Sequence, residues 1–227
     1  MISFDQKLAR LKDDLVTQGT RVRDMVRRSV ESYFEQNVEL ADSVVGDDRV
    51  IDRVDVEIER ASIPLLGMGV TDEYQIRSVL TIVKINNELE RIADCAVDMA
   101  EIVQKDDVSG ERPPAAFRVM ANSVIAMVRD ANLALARLDT GLAKQVLECD
   151  DAVEMFMQKI GLDVEEKVAS GDLSVRFVFR LSAVTKALEQ IADHCTNMCE
   201  QVIYLETGKI VRHGAEGWSM PAAPDLT

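Results

Sequence analysis

Aromatic residues make up only 4% of this 227-residue chain, with a single Trp. The core must therefore be aliphatic, built from Val, Ile, Leu, Ala and the ten Met. Eleven Gly and five Pro are few for the length, which suits long uninterrupted helices. Cations are in short supply: 26 Lys and Arg stand against 40 Asp and Glu, a formal net charge of −14. That balance argues against a nucleic-acid or anionic-lipid surface and against binding bare phosphate, and it is compatible with cations or basic partners. No unbroken apolar run approaches the roughly 18 residues of a membrane span. The opening MISFDQKLARLKDD is charged and has no apolar h-region. The expectation is a soluble, cytoplasmic protein.

The four cysteines make no CxxC, and with no secretion signal they do not read as a disulfide framework. Cys195 and Cys199 lie one helical turn apart, and Cys195 falls on an apolar strip, which predicts a buried thiol. Cys95 and Cys149 each adjoin an Asp, where either would be a spectator beside a metal. Of the two histidines, His194 and His213, neither stands three residues after a Glu, so the Glu-x-x-His pattern of di-iron bundles is absent.

What the sequence does have is a repeat. Residues 89–101 read LERIADCAVDMAE and residues 188–200 read LEQIADHCTNMCE, 99 positions apart with seven of thirteen residues identical. In the first copy Glu90, Asp94, Asp98 and Glu101 fall on one strip about 80° wide, opposite Ile85, Leu89, Ile92, Ala96, Met99 and Val103. Three successive like-charge neighbours should each cost about 0.2–0.5 kcal/mol, with only Arg91 and Lys105 to relieve them. One such column alone could be a solvated acidic face. Its recurrence as Glu189, Asp193, Asn197 and Glu200, again opposite an apolar strip, favours a cation site.

The chain divides into six helical segments in two threes. The spacing predicts helices near 3–42, 47–66 and 71–105, then near 115–139, 142–170 and 172–207. DVSGERPP, residues 107–114, is the clearest break. Short connections between long helices imply antiparallel neighbours. The expected fold is all-α: a first three-helix bundle over 1–107, a linker at 108–114, a second bundle over 115–207 and a flexible tail over 208–227. Trp218 in that tail is either loosely docked or a partner contact.

The second helix has its own acidic column, Asp48, Asp52, Asp55 and Glu59; in the second half only Asp150 and Glu154 answer it, with Met157 and Gly161 where further acids would stand. Each half thus offers two acidic pairs on adjacent helices: Asp48 and Asp52 with Glu90 and Asp94, and Asp150 and Glu154 with Glu189 and Asp193. Facing pairs of this kind supply four to eight oxygens, about what hard or borderline cations such as Mg, Mn or Fe take. Metal would neutralise the columns and so stabilise the fold.

These same residues carry a family resemblance. The two repeats resemble the LERIGDHAxNIAE signature of the PhoU family of phosphate-uptake regulators. The likeness extends to FDQKLARLKDDL at the start, DDRVIDRVDVEIE, QIRSVLTIVKINNELE and the closing IYLETGKIVRH. The resemblance implies two three-helix bundles with multinuclear clusters of divalent or trivalent metal, iron first and Mn, Mg or Zn as alternatives. It places the ligands at Asp48, Asp52, Glu90, Asp94, Asp150, Glu154, Glu189 and Asp193. It also implies a non-enzymatic role in damping phosphate-starvation signalling, through contact with the phosphate ABC transporter, at its ATPase subunit, and with a sensor histidine kinase, as a possible homodimer. The membrane would be reached only through those partners, and no nucleic acid is involved. Departures from the signature are Cys95 for its His, Asp98 for its Asn and Gln190 for its Arg in the second copy, so the two sites are expected to be unequal. Two other readings stay open: a metal-free interaction scaffold, and a carboxylate-bridged metallohydrolase, which lacks any candidate nucleophile or base with a supporting partner.

Overall fold

The computed structural model describes residues 3–69, 71–105, 110–214 and 217–219, the last of these, like His213 and Gly214, by backbone only. Six helices run in order: α1 Phe4–Glu35, α2 Val38–Leu66, α3 Glu73–Gln104, α4 Ala115–Arg137, α5 Thr140–Ser170 and α6 Val175–Thr207. Helices α1 to α3 form one three-helix bundle and α4 to α6 a second. The bundles lie side by side, α3 packed along α6 and α1 against α4, so that one aliphatic core runs through both. As the short supply of rings predicts, Leu15, Met25, Ile85, Leu89, Ile92, Met99 and Met120 are among its fully buried members.

The first connection differs from the expected break at Gly46. The chain turns at Gln36, left-handed at φ 53, and Asn37 caps α2 by accepting from the Leu40 amide (3.0 Å). Gly46 sits inside α2, where nothing approaches its Cα and the local helix tolerates it. Elsewhere the cap chemistry follows the sequence: Asp72, Asp139 and Ser174 cap α3, α5 and α6, and Gly171 and Gly208 end α5 and α6 with positive φ. Residues 106–109 of the expected linker lie outside the described residues.

Helix α4 is long and apolar enough to cross a membrane by length and composition, although it has no unbroken apolar run. Its apolar stripe is instead the inner wall of the second bundle, with Phe117, Met120, Val124, Val128 and Leu135 buried. Part of the tail expected to be flexible is ordered: Arg212–Gly214 pairs antiparallel with Gly217–Ser219. The Trp218 side chain and residues 220–227 lie outside the described residues.

Polar side chains tie the helices together where apolar packing alone would let them slide. Gln18 donates to the Ile51 carbonyl (3.0 Å), joining α1 to α2, and Ser29 donates to the Ala96 carbonyl (2.7 Å), joining α1 to α3. Each satisfies a buried polar group that would otherwise cost about 1–3 kcal/mol.

Candidate functional site

Helices α2 and α3 pack side by side, and this brings their acidic columns together. Partial burial pushes Asp48 above the ordinary carboxylate value, reinforced by the charges of Asp52 and Asp94. Glu90 is raised by burial and then by Asp94, Asp55 and Asp52; Asp94 is raised by burial and then by Asp52 and Asp98. Arg91 acts in the opposite sense on both. The four residues named for the first bundle therefore share one electrostatic field, and Asp55 belongs to it. Burial, with Glu59 and Asp52, raises Asp55 too.

Asp55 is held by a residue that the sequence gave no reason to single out. Asn86, buried in α3, donates through Nδ2 to the Asp55 carboxylate (2.6 Å) and to the Asp55 carbonyl (3.0 Å). It lies one turn before Glu90 on α3, so it fixes both the α2–α3 register and the orientation of one acid.

The second bundle is arranged differently. Asp150 of α5 and Asp193 of α6 line a common cleft between the bundles. Glu189 is paired with Lys186 (3.6 Å), and Glu154 is exposed on α5, away from the cleft lining. The structure thus gathers two of the four residues named here, against four of four in the first bundle. Across the junction Glu88 of α3 meets His194 of α6 (2.7 Å), and Asn197 donates to the same carboxylate oxygen (3.2 Å). The signal for this pair lay in the repeat: the counterparts of Glu88 and His194 are Ala187 and Cys95, so both halves of the contact are missing at the matching position.

The cysteines carry no site. All four are free thiols, Cys195 and Cys199 fully buried, and burial holds Cys95 up to about 11. Cys149 is exposed beside Asp130.

The first-bundle cluster fits a hard cation by its chemistry: carboxylate oxygens from two helices, mutually repelling, with one opposing guanidinium. Among the described residues no three His, Cys, Asp or Glu side chains stand close enough to hold an ion as they are. Like charges on facing helices splay apart, and closing them around a cation needs only rotamer changes at these partly exposed positions.

The raised carboxylates give the metal-free protein an unusual pH response. A carboxyl with a folded value above its unfolded value takes up a proton first in the folded state. Its penalty is present at neutral pH and fades as pH falls through the folded value toward the ordinary 3.8 of Asp and 4.5 of Glu. Asp24, lowered by its hydrogen bond to Arg27, contributes oppositely, but its loss comes below 3.8. Chelator-treated protein should therefore melt at a higher temperature on mild acidification from neutral pH, and Asp48→Asn with Asp94→Asn should flatten that rise. A melting temperature that falls throughout would show that the cluster does not govern stability.

The sequence profile of the PhoU domain matches the chain twice, over residues 15–103 and 117–202, one match in each bundle. The phosphate-specific transport system accessory protein PhoU homolog 1 of Thermotoga maritima is 29% identical over 219 residues, covering 95% of this chain and 94% of that protein. The corresponding PhoU homolog of Aquifex aeolicus is 31% identical over 212 residues, covering 92% of this chain and 95% of its own length. The crystal structure of PhoU from Pseudomonas aeruginosa superposes with a TM-score of 0.86 at 26% identity, over 91% of this chain and all of that one. The phosphate transport system regulatory protein PhoU from Streptococcus pneumoniae shares the fold at 20% identity and a TM-score of 0.85.

Proposed function

The chain belongs to the PhoU family, and from that membership we propose that it is an accessory regulator of phosphate-specific transport that restrains the phosphate-starvation response. It works by protein contact and not by turnover, docking in the cytoplasm on the ATPase subunit of a phosphate ABC transporter and on a sensor histidine kinase. Its relatives in Thermotoga maritima and Aquifex aeolicus bear the name of phosphate-specific transport system accessory proteins. The observation that carries the reading is the double PhoU match over both bundles, together with carboxylate columns that meet across α2 and α3.

Metal has a structural role in this scheme. Asp48, Asp52, Glu90 and Asp94 would hold one cluster, and Asp150, Glu154, Glu189 and Asp193 a second, weaker one. Bound iron or manganese supplies positive charge that cancels the repulsion between the columns. The chain's own residues do the rest: the buried faces of α3 and α6 set the column spacing, and Asn86 orients Asp55 beside the first site.

The test is complementation. In a bacterial strain deleted for its own PhoU, alkaline phosphatase is made even in phosphate-rich medium; expression of this chain should restore repression. Full expression of soluble protein with alkaline phosphatase still unrepressed, despite a detectable complex with the host transporter, would overturn the regulatory reading.

A further inference from the structure

A cleft of about 860 Å³ opens between the two bundles, with walls from α2, α3, α5 and α6. Six carboxylates line it, those of Asp55, Glu59, Glu88, Asp150, Asp193 and Glu200, against two cations, Lys84 and Arg212. Lys84 lies over the Tyr204 ring (5.8 Å), and Arg212 reaches in from the C-terminal hairpin to donate to Glu200. An acidic lining alone would not make a site. The same cleft is also lined by Asn86 and Gln201, 3% and 9% exposed, and the amide oxygens of both receive no hydrogen bond. A buried acceptor left unpaired costs about 1–3 kcal/mol. The wall therefore offers ionised carboxylates and orphaned carbonyls, and it calls for a ligand that is cationic and rich in donors.

A guanidinium meets that description: always charged, five N–H donors and no acceptor. Arg212 shows that one is accommodated at the Glu200 end. A hydrated metal ion is a poor match in size, because each water takes roughly 30 Å³ and even a full shell leaves most of the cleft empty. We infer that the cleft binds an arginine-bearing basic segment of a protein partner, for which Arg212 of the chain's own hairpin stands in at one end. Both bundles contribute to the wall, so the segment would clamp them together, and the hairpin competes with it. The inference rests on the reading that the chain acts through protein contacts, and its test leaves all eight proposed metal ligands intact.

The full-length protein is titrated into a fluorescein-labelled tetra-arginine peptide at physiological ionic strength, with binding followed by anisotropy. Glu59→Gln with Glu88→Gln should weaken binding about tenfold, since each removes a carboxylate from the wall. Arg212→Ser should strengthen it about threefold by releasing Glu200 to the peptide. Glu165→Gln with Glu166→Gln removes the same charge from exposed positions of α5 and should change binding by less than about twofold, because separated charges are screened. If Glu88→Gln lowers the melting temperature by loosening the His194 contact, Glu59→Gln with Glu200→Gln takes its place with the same expected loss. Equal losses in the cleft and control variants would reduce the effect to the overall field of an acidic protein and overturn the proposal, as would unchanged affinity in the cleft variants. A cleft that fails this test in a chain that still restores repression loses its ligand only. A cleft that passes in a chain that cannot restore repression overturns the regulatory reading only.

Discussion

Gly19→Ala should destabilise the protein by about 2 kcal/mol, even though alanine is the better helix former by about 1 kcal/mol. Gly19 is buried where α1 crosses α4, and a Cβ there would lie 2.6 Å from the Asn132 Cγ and 3.2 Å from its Nδ2. Asn132 is not free to swing aside. Its Nδ2 donates to the Val16 carbonyl and to the Thr20 hydroxyl, each at 3.3 Å, and its Oδ1 is buried without a partner. Displacing it forfeits two hydrogen bonds at about 1 kcal/mol each, and the overpacking adds about 1–3 kcal/mol before the helix preference is credited. In a chain of this length 2 kcal/mol lowers the melting temperature by about 4–8 °C. The companion measurement makes the cause specific. In an Asn132→Ala background the clash is gone, so Gly19→Ala should become neutral or stabilising. Equal losses in both backgrounds would place the cost elsewhere.

That contact also shows where the sequence stops being legible. Six helices in two threes could be read from the aliphatic periodicity, the scarcity of Gly and Pro and the repeat at residues 89–101 and 188–200, because each bundle must bury a stripe of period about 3.6. The way the two bundles meet is written in single residues without a pattern: Gly19 beneath Asn132, and Glu88 against His194. The first connection was misplaced for a related reason. Gly46-Asp47-Asp48 has the composition of a turn, yet the chain turns at Gln36 and Asn37, where an ordinary residue takes the left-handed conformation and the stop is set by the Asn37 cap.

The candidate site was legible to the extent that it lies along one helix. Carboxylates at i, i+4 and i+8 necessarily share a face, so the columns followed from spacing alone. Which column faces which is a property of packing. In the first bundle it brings Asp48, Asp52, Glu90 and Asp94 into one field and adds Asp55. In the second, Asp150 and Asp193 turn toward the inter-bundle cleft, while Glu189 is occupied by Lys186. Asn86, which anchors Asp55, is a lone polar residue on an apolar stretch of α3, and nothing in its spacing distinguishes it from a surface position.

The expected effect of Glu90→Ala with Asp94→Ala has opposite signs with and without metal. In chelator-treated protein these substitutions remove two of the carboxylates that repel Asp52, Asp55 and Asp98. Each like-charge neighbour removed should return about 0.2–0.5 kcal/mol, so the metal-free variant should be slightly more stable than the parent and less sensitive to mild acid. In manganese or ferrous iron at a hundred times the dissociation constant, the parent should gain about 2.7 kcal/mol from binding to the folded state alone. That is a rise in melting temperature of roughly 5–10 °C, which the variant should lack. Glu189→Ala with Asp193→Ala should remove less of it, because the second bundle gathers fewer of its acids. The crossing of the two curves is the informative result. A solvated acidic face gives the small gain without metal and no rise with it, in parent and variant alike, and that outcome would leave the columns as surface charge and the metal clusters without support.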